Sequence, residues 1–119
     1  MSRAKRGFKA RRRRKKILDL ASGFRGSRKN RFKTAAHVVK RALAFAYRDR
    51  RVKKRDFRKL WITRINAASR ANGLRYGEFI HGLKLKGVEL DRSVLADIAL
   101  QDESGFTFLV NEAKAALGK

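Results

Sequence analysis

The apolar residues of this chain are spaced for long helices. Between residues 28 and 72 no glycine or proline interrupts the sequence, and the apolar positions step by three or four residues along one stripe. That stripe consists of Phe32, Ala36, Val39, Leu43 and Ala46. The spacing predicts a helix over 28–72, with Ser27 as its N-cap and Gly73 at its end. At about 1.5 Å per residue it would be roughly 65 Å long, so half of it would project beyond a small domain.

The apolar stripe lapses in the middle of this predicted helix. Residues 48–56 contain one apolar side chain, Val52, so this stretch has no face to bury and is expected to be exposed. Helical apolar spacing then resumes at Phe57, Leu60, Trp61, Ile65 and Ala68. This pattern predicts two regions: a helical extension over 1–58 and a small globular domain over 59–119.

Four further helices complete an all-α fold, a long basic helical N-terminal arm that continues into a small globular helical C-terminal domain. The first is predicted over 4–21, and a turn with two glycines follows it at 22–27. The others are predicted over 76–85, over 92–100 with Asp91 as cap, and over 105–117 with Ser104 or Asp102 as cap. The core is expected to contain Phe79, Ile80, Leu83, Leu95, Ile98, Phe106, Leu109, Val110 and Leu117.

Charge separates the two halves. The chain has 33 Lys and Arg against 10 Asp and Glu, a net charge of +23. Residues 1–60 hold 25 basic and 3 acidic side chains, and residues 61–119 hold 8 and 7. Nothing within the chain neutralises the first half, so it requires a polyanion. Without one, the like charges should leave the arm largely disordered, and binding to phosphates should order it.

The composition of the arm favours RNA. Arginine accounts for 15 of its 25 basic residues, and its planar guanidinium grips phosphate in a bidentate manner and stacks on exposed bases. Aromatic residues are interleaved with the charge at Phe8, Phe24, Phe32, Tyr47 and Phe57. Phe8 and Phe24 have no evident core to join and are expected to contact RNA, whereas Phe32, Phe57 and Trp61 fit the helix stripe or the C-terminal core. Asp49 precedes Lys53 by four residues, which suits an ion pair along the helix.

Several other kinds of protein are disfavoured. With no cysteine there are neither disulfides nor Cys-based zinc sites, and His37 and His81 lack a metal-binding spacing. Phosphate-loop and nucleophile-elbow motifs are absent, so we expect no catalysis, no cofactor and no metal. Neither a membrane span nor a secretory signal is present, which predicts a cytoplasmic protein. An organelle transit peptide remains an alternative interpretation of the Arg-rich start.

Two other binding functions stay open on the residues alone. A nucleoid or linker-histone-like DNA protein would share the charge asymmetry. The basic tails of such proteins are commonly rich in Lys, Ala and Pro, whereas here Arg is more abundant than Lys in the basic half and Pro is absent. A basic amphipathic membrane binder is the second alternative, although the stripe of the long helix is largely alanine and too weak for strong insertion.

One segment is specific enough to suggest a family. Residues 54–70, which read KRDFRKLWITRINAASR, resemble the signature of the bacterial large-subunit ribosomal protein L-twenty family. Agreement extends to RAKRG at 3–7, ARRR at 10–13, KKIL at 15–18, GFRGSR at 23–28, YRDRR at 47–51 and LDRSVLAD at 90–97. The departures are Ser2 where Pro is usual, Asp19 and Ser22 where basic residues are common, and His81 where Asn is usual.

The resemblance implies a structural constituent of the large ribosomal subunit, located in the cytoplasmic ribosome. Its arm would thread between domains of large-subunit (23S-type) ribosomal RNA and promote early subunit assembly. Partners would be this RNA, neighbouring large-subunit ribosomal proteins and, as in some relatives, its own messenger RNA, but no membrane.

The RNA contacts follow from the same resemblance, with Phe24 added from its position among the charges. They are expected mostly to hold phosphate, and so to position the protein rather than to specify a sequence. The predicted RNA-binding residues are Arg3, Lys5, Arg6, Lys9, Arg11, Arg12, Arg13, Arg14, Lys15, Lys16, Phe24, Arg25, Arg28, Arg48, Arg50, Arg51, Lys53, Lys54, Arg55, Arg58 and Arg64.

Overall fold

The structure is a computed structural model and describes residues 7–118. Regular structure in these residues is entirely helical, which confirms the predicted all-α class. The elements are α1 (Gly7–Leu20), a 3-10 turn (Gly26–Arg28), α2 (Phe32–Ala71), α3 (Tyr76–Leu85), α4 (Arg92–Gln101) and α5 (Glu103–Leu117). The chain divides into two compact units between Arg51 and Val52. Because α2 contributes to both units, this division falls within a helix and not in a linker.

The first unit has a small apolar cluster of its own. Ala21, Ala35 and Val39 are buried, and partly buried side chains of α1 and the following turn pack against them. Phe24 is one of these packed side chains, so the expectation that it has no core to join was wrong. The predicted start of the first helix, at residue 4, lies outside the described residues. Its end at Leu20 is followed by Gly23 in the left-handed region, with φ of 85°.

The start of α2 differs from the prediction. The helix begins at Phe32 and not at residue 28, and Ser27 lies in the 3-10 turn rather than at an N-cap. The Ser27 carbonyl accepts a bond from the Arg31 N–H at 3.1 Å, and the Arg31 carbonyl then accepts from Ala35 at 2.8 Å. Residues 28–31 contain no apolar side chain, so no packing favours helix there over the turn.

The middle of α2 is exposed, as the lapse in the apolar stripe predicted. All side chains from residue 48 to residue 56 are exposed except Val52, which is half-buried. Phe57 is also exposed, at 44%, so its assignment to the C-terminal core was wrong. Its ring lies 6.1 Å from that of Trp61, and Trp61 does pack against the core as predicted.

The second unit has a single core, formed by the end of α2 and by α3, α4 and α5. Ile65 of α2 is completely buried in it, and the rings of Phe79 in α3 and Phe106 in α5 lie 5.1 Å apart. Of the other predicted core residues, Leu83, Leu95 and Val110 are buried, Ile80, Ile98 and Leu109 pack against the core, and Leu117 is half-buried. Leu74, Ala96 and Ala113 are also buried in this core, although they were not among the predicted core residues.

The helix caps agree only in part with the prediction. Asp91 occupies the N-cap position of α4, but its side chain does not accept a hydrogen bond there. Asp102 caps α5 as predicted, because its side chain accepts a bond from the Gly105 N–H at 2.9 Å. This cap lets α5 begin at Glu103, two residues before the predicted start, and Gly118 ends it with φ of 70°.

Candidate nucleic-acid interface

Helix α1 presents a continuous basic surface. From Arg11 to Lys16 every side chain is cationic and exposed. The guanidinium carbon of Arg12 lies 4.5 Å from the centre of the exposed Phe8 ring, and that of Arg14 lies 5.7 Å from the ring of Phe32 at the start of α2. These contacts hold two guanidinium groups against aromatic faces and leave their charge accessible.

A second group of cations and aromatic rings lies on α2 before the division between the units. Arg48 lies over the ring of Phe45, with 4.6 Å from its guanidinium carbon to the ring centre. Arg51 lies over the ring of Tyr47 at 3.6 Å. Both rings are exposed, Phe45 by 41% and Tyr47 by 56%. This part of α2 therefore offers charge and planar apolar surface together.

The second unit begins with a third basic group on the same helix. Lys53, Lys54, Arg55 and Arg58 are all exposed, and the Lys53 ammonium lies 5.9 Å from the centre of the Phe57 ring. Arg64, six residues further along α2, is half-buried. The exposed members of this group are accessible to phosphate, and Arg64 offers a smaller accessible surface.

The one acidic side chain in the second group does not pair as predicted. Asp49 was expected to bind Lys53 four residues later, but its carboxylate instead accepts a bond from Nε of the adjacent Arg48 at 2.8 Å. Both side chains of this pair are more than half exposed. The pair therefore contributes little to stability, and its main effect is to hold the Arg48 guanidinium in place.

Most of the predicted RNA-binding residues are accessible. Lys9, Arg25, Arg28 and Arg50 are exposed, as are the members of the three groups above other than Arg64, and Phe24 is half-buried. The structure brings Arg14 of α1 to the start of α2 and joins Arg48 and Arg51 to aromatic rings. Arg3, Lys5 and Arg6 lie outside the described residues.

Comparison with known proteins identifies the family. The family model described as ribosomal protein L20 matches residues 3–109. The chain belongs to the ribosomal protein L20 family. Among curated relatives named large ribosomal subunit protein bL20, that of Pelobacter propionicus is 62% identical over 98% of this chain and 100% of its own length. Those of Desulforapulum autotrophicum and Geobacter sulfurreducens are each 64% identical over 97% of this chain, covering 99% and 98% of their lengths.

The described part of this L20 family member offers neither a metal site nor a membrane-spanning helix. His37 and His81 are both exposed, and residues 7–118 contain no cluster of three or more His, Cys, Asp or Glu side chains placed to hold a metal ion. Within the same residues, no helix combines the length and the apolar character that crossing a membrane requires.

Two residues of this surface in the L20 family chain, Phe45 and Arg41, were not predicted from the sequence. The guanidinium carbon of Arg41 lies 5.6 Å from the Phe45 ring centre. The available signal was the spacing, because Arg41 precedes Phe45 by four residues and Arg48 follows it by three. Side chains three and four residues apart are neighbours on a helix, so both arginines could be expected to reach the ring.

Proposed function

We propose that this structural constituent of the large ribosomal subunit binds large-subunit (23S-type) ribosomal RNA directly and promotes early assembly of the subunit in the cytoplasm, with no catalytic role. Residues 1–58 are the RNA-binding extension and residues 59–119 the globular domain. Membership of the ribosomal protein L20 family carries the ribosomal part of this proposal. The exposed cations of α1 and α2 support the direct contact with RNA.

The main support is a charge imbalance on an exposed helical surface. Three acidic side chains cannot neutralise 25 basic ones in the first 60 residues, and the described cations of the predicted set are exposed apart from Arg64. A folded protein carrying such a charge repels itself, and phosphate contact converts this repulsion into attraction while releasing counterions. Most of these contacts would position the protein on the RNA without reading its sequence.

An early role in assembly follows from the same charge density. Binding of the extension orders a chain segment that otherwise repels itself, and it draws phosphates from neighbouring RNA segments towards one protein helix. A helix that connects RNA segments in this way contributes most before those segments have formed their own tertiary contacts. Neighbouring ribosomal proteins would contact residues 59–119, where Leu85, Leu100 and Phe108 are each more than half exposed. Its own messenger RNA would be a further partner if it reproduced the ribosomal site.

A binding experiment with the full chain tests the RNA contact. Affinity for large-subunit ribosomal RNA and for a DNA duplex of similar length would be measured over a series of salt concentrations. We expect a preference for the RNA and a steep loss of affinity with salt, and we expect replacement of Arg11 to Lys16 by glutamine to make that loss shallower. Equal affinity for the DNA duplex would contradict the ribosomal RNA assignment and favour the DNA-binding alternative.

A reconstitution experiment tests the assembly role. Large subunits would be assembled from RNA and proteins with the chain present from the start, omitted, or added only at the end. We expect complete particles in the first case and incomplete particles in the other two. Full recovery on late addition would show that early binding is not required.

A further inference from the structure

The side chains of Tyr47 and Arg51 form an ordered pair on the exposed part of α2. The guanidinium carbon of Arg51 lies 3.6 Å from the centre of the Tyr47 ring, close enough for the two planar groups to stack. Its Nη1 also donates a hydrogen bond to the backbone carbonyl of Tyr47 at 3.2 Å. The guanidinium is therefore held over the ring by two contacts with the same residue.

A second pair of the same kind begins two residues earlier on α2. The guanidinium carbon of Arg48 is 4.6 Å from the centre of the Phe45 ring, and its Nε donates to the Asp49 carboxylate at 2.8 Å. Arg41 approaches the same ring at 5.6 Å. In both pairs a guanidinium that covers a ring is fixed by a further hydrogen bond, and in both the ring is exposed.

These rings contribute little to folding. The small cluster of the first unit consists of buried Ala21, Ala35 and Val39 with the side chains packed on them, and neither ring belongs to it. By contrast, the paired rings of Phe79 and Phe106 in the second unit are 0% and 1% exposed. Exposed aromatic surface surrounded by cations is suited to a ligand that is planar, apolar on its faces and attached to negative charge.

We propose that the Tyr47–Arg51 pair is a stacking platform for an unpaired nucleobase of the bound RNA, and that the Phe45–Arg48 pair is a second such platform. This inference rests on the proposed function and adds to it the part of the RNA that is bound. A base inside a duplex already stacks on its neighbours, so the platform selects a base from a loop, bulge or single strand. Phosphates flanking that base bind the surrounding arginines.

The planar guanidinium is what distinguishes this platform from a general basic surface. A guanidinium that lies on an aromatic ring offers its other face to a base, and a lysine ammonium at the same position would supply the charge without the plane. Arg51→Lys therefore preserves the net charge of the chain and removes the stacking surface. Tyr47→Leu likewise preserves apolar surface and removes the ring.

Stacking is tested directly with a fluorescent base. The full-length protein would be titrated into a single-stranded RNA carrying 2-aminopurine, whose emission falls when the base stacks, and into a fully paired RNA duplex carrying the same label. We expect the wild-type chain to quench the single strand much more than the duplex. We expect Tyr47→Leu and Arg51→Lys each to remove about half of that quenching, because the Phe45–Arg48 platform remains, and to weaken binding of the single strand about tenfold.

Salt dependence and control variants distinguish a loss of stacking from a loss of charge or of helical structure. Neither Tyr47→Leu nor Arg51→Lys removes a cation, so affinity should fall without a change in its dependence on salt. Leu43→Ala serves as a control because Leu43 is exposed by 53% on the same helix but is not planar. Circular dichroism of each variant would show whether the helices are intact.

The possible outcomes separate this inference from the proposed function. Quenching of the single strand by Tyr47→Leu equal to that of the wild-type chain would overturn the platform, and so would a loss of quenching in Leu43→Ala as large as in Tyr47→Leu. Either result would leave binding of ribosomal RNA in place. If the wild-type chain bound large-subunit RNA no better than the DNA duplex, the proposed function itself would fail.

Discussion

Gly82 of α3 lies against the backbone of Ala113 in α5, so closely that no larger side chain fits between the two helices. A Cβ atom built on Gly82 would lie 2.6 Å from the Ala113 carbonyl oxygen and 2.8 Å from its Cβ. Both residues are buried in the core of the second unit. The absence of a side chain at position 82 therefore sets how closely α3 and α5 approach.

We expect Gly82→Ala to destabilise the protein. Alanine favours a helix over glycine by up to about 1 kcal/mol, but here the new methyl group meets backbone atoms that cannot move independently. Overpacking of this kind typically costs about 1–3 kcal/mol, so the net change should be a loss. Urea denaturation would measure it. Gly77→Ala is the matched control, because no atom lies within 4 Å of a Cβ at that position, and it should be neutral or stabilising.

Ser69→Ala should stabilise the protein. Ser69 is completely buried on α2, and its hydroxyl oxygen has no hydrogen-bond partner. Burial of an unsatisfied hydroxyl is unfavourable, so its removal should raise the free energy of unfolding by about 1 kcal/mol. Ser104→Ala provides the opposite case, since the Ser104 hydroxyl donates to Asp102 at 2.6 Å and its loss should not stabilise. A lower stability for Ser69→Ala would indicate that its hydroxyl is bonded in solution.

The cap of α5 should weaken in acid. The hydroxyl of Ser104 and the N–H of Gly105 donate to the Asp102 carboxylate and lower its pKa below the ordinary 3.8. Because the folded-state pKa is the lower one, this stabilisation is present above the unfolded-state pKa and is lost as the pH falls through the folded-state pKa. An NMR titration of the Asp102 carboxyl carbon should show a midpoint below 3.8. Asp102→Asn should remove this part of the acid dependence, and a wild-type midpoint at or above the ordinary value would contradict the cap.

Replacement of Lys54 should reduce the dependence of RNA binding on salt. Lys54 is exposed on the basic part of α2, and one phosphate contact contributes about one unit to the slope of log affinity against log salt. We therefore expect Lys54→Gln to weaken binding of large-subunit ribosomal RNA and to lower that slope by about one unit. Lys84→Gln removes the same charge from an exposed site on α3 and should change the slope less. Equal effects of the two substitutions would show that only net charge matters.

The helices of this protein could be predicted because strong local signals mark their ends. Gly73, Gly87 and Gly118 stop three of them with positive φ, and the apolar spacing of the last three helices pointed to most of the core. The family could also be inferred, because the segment 54–70 combines charge and apolar residues in a specific order. These features depend on neighbours in the sequence, which are visible without a structure.

The predictions that were wrong concern features set by tertiary packing or by competition between neighbouring side chains for one partner. Phe57 has the spacing of a core residue but is 44% exposed, because helical spacing indicates a side of the helix and not how far along it the packing continues. Phe24 lies among charges but packs on the cluster of Ala21, Ala35 and Val39, which exists only once the chain has turned back on itself. The Asp49 carboxylate accepts a hydrogen bond from its immediate neighbour Arg48 and not from Lys53. The prediction considered only the four-residue spacing to Lys53 and overlooked the adjacent arginine.

Helix α2 runs for 40 residues without a break, and this continuity makes its residue count important. Inserting a single residue would advance all side chains beyond it by about 1.5 Å and turn them by about 100° around the helix axis. A substitution alters one side chain, whereas an insertion or deletion would change which residues of α2 share a face with those before it. The length of this helix is therefore expected to be as strictly constrained as the identity of the amino acids that it carries.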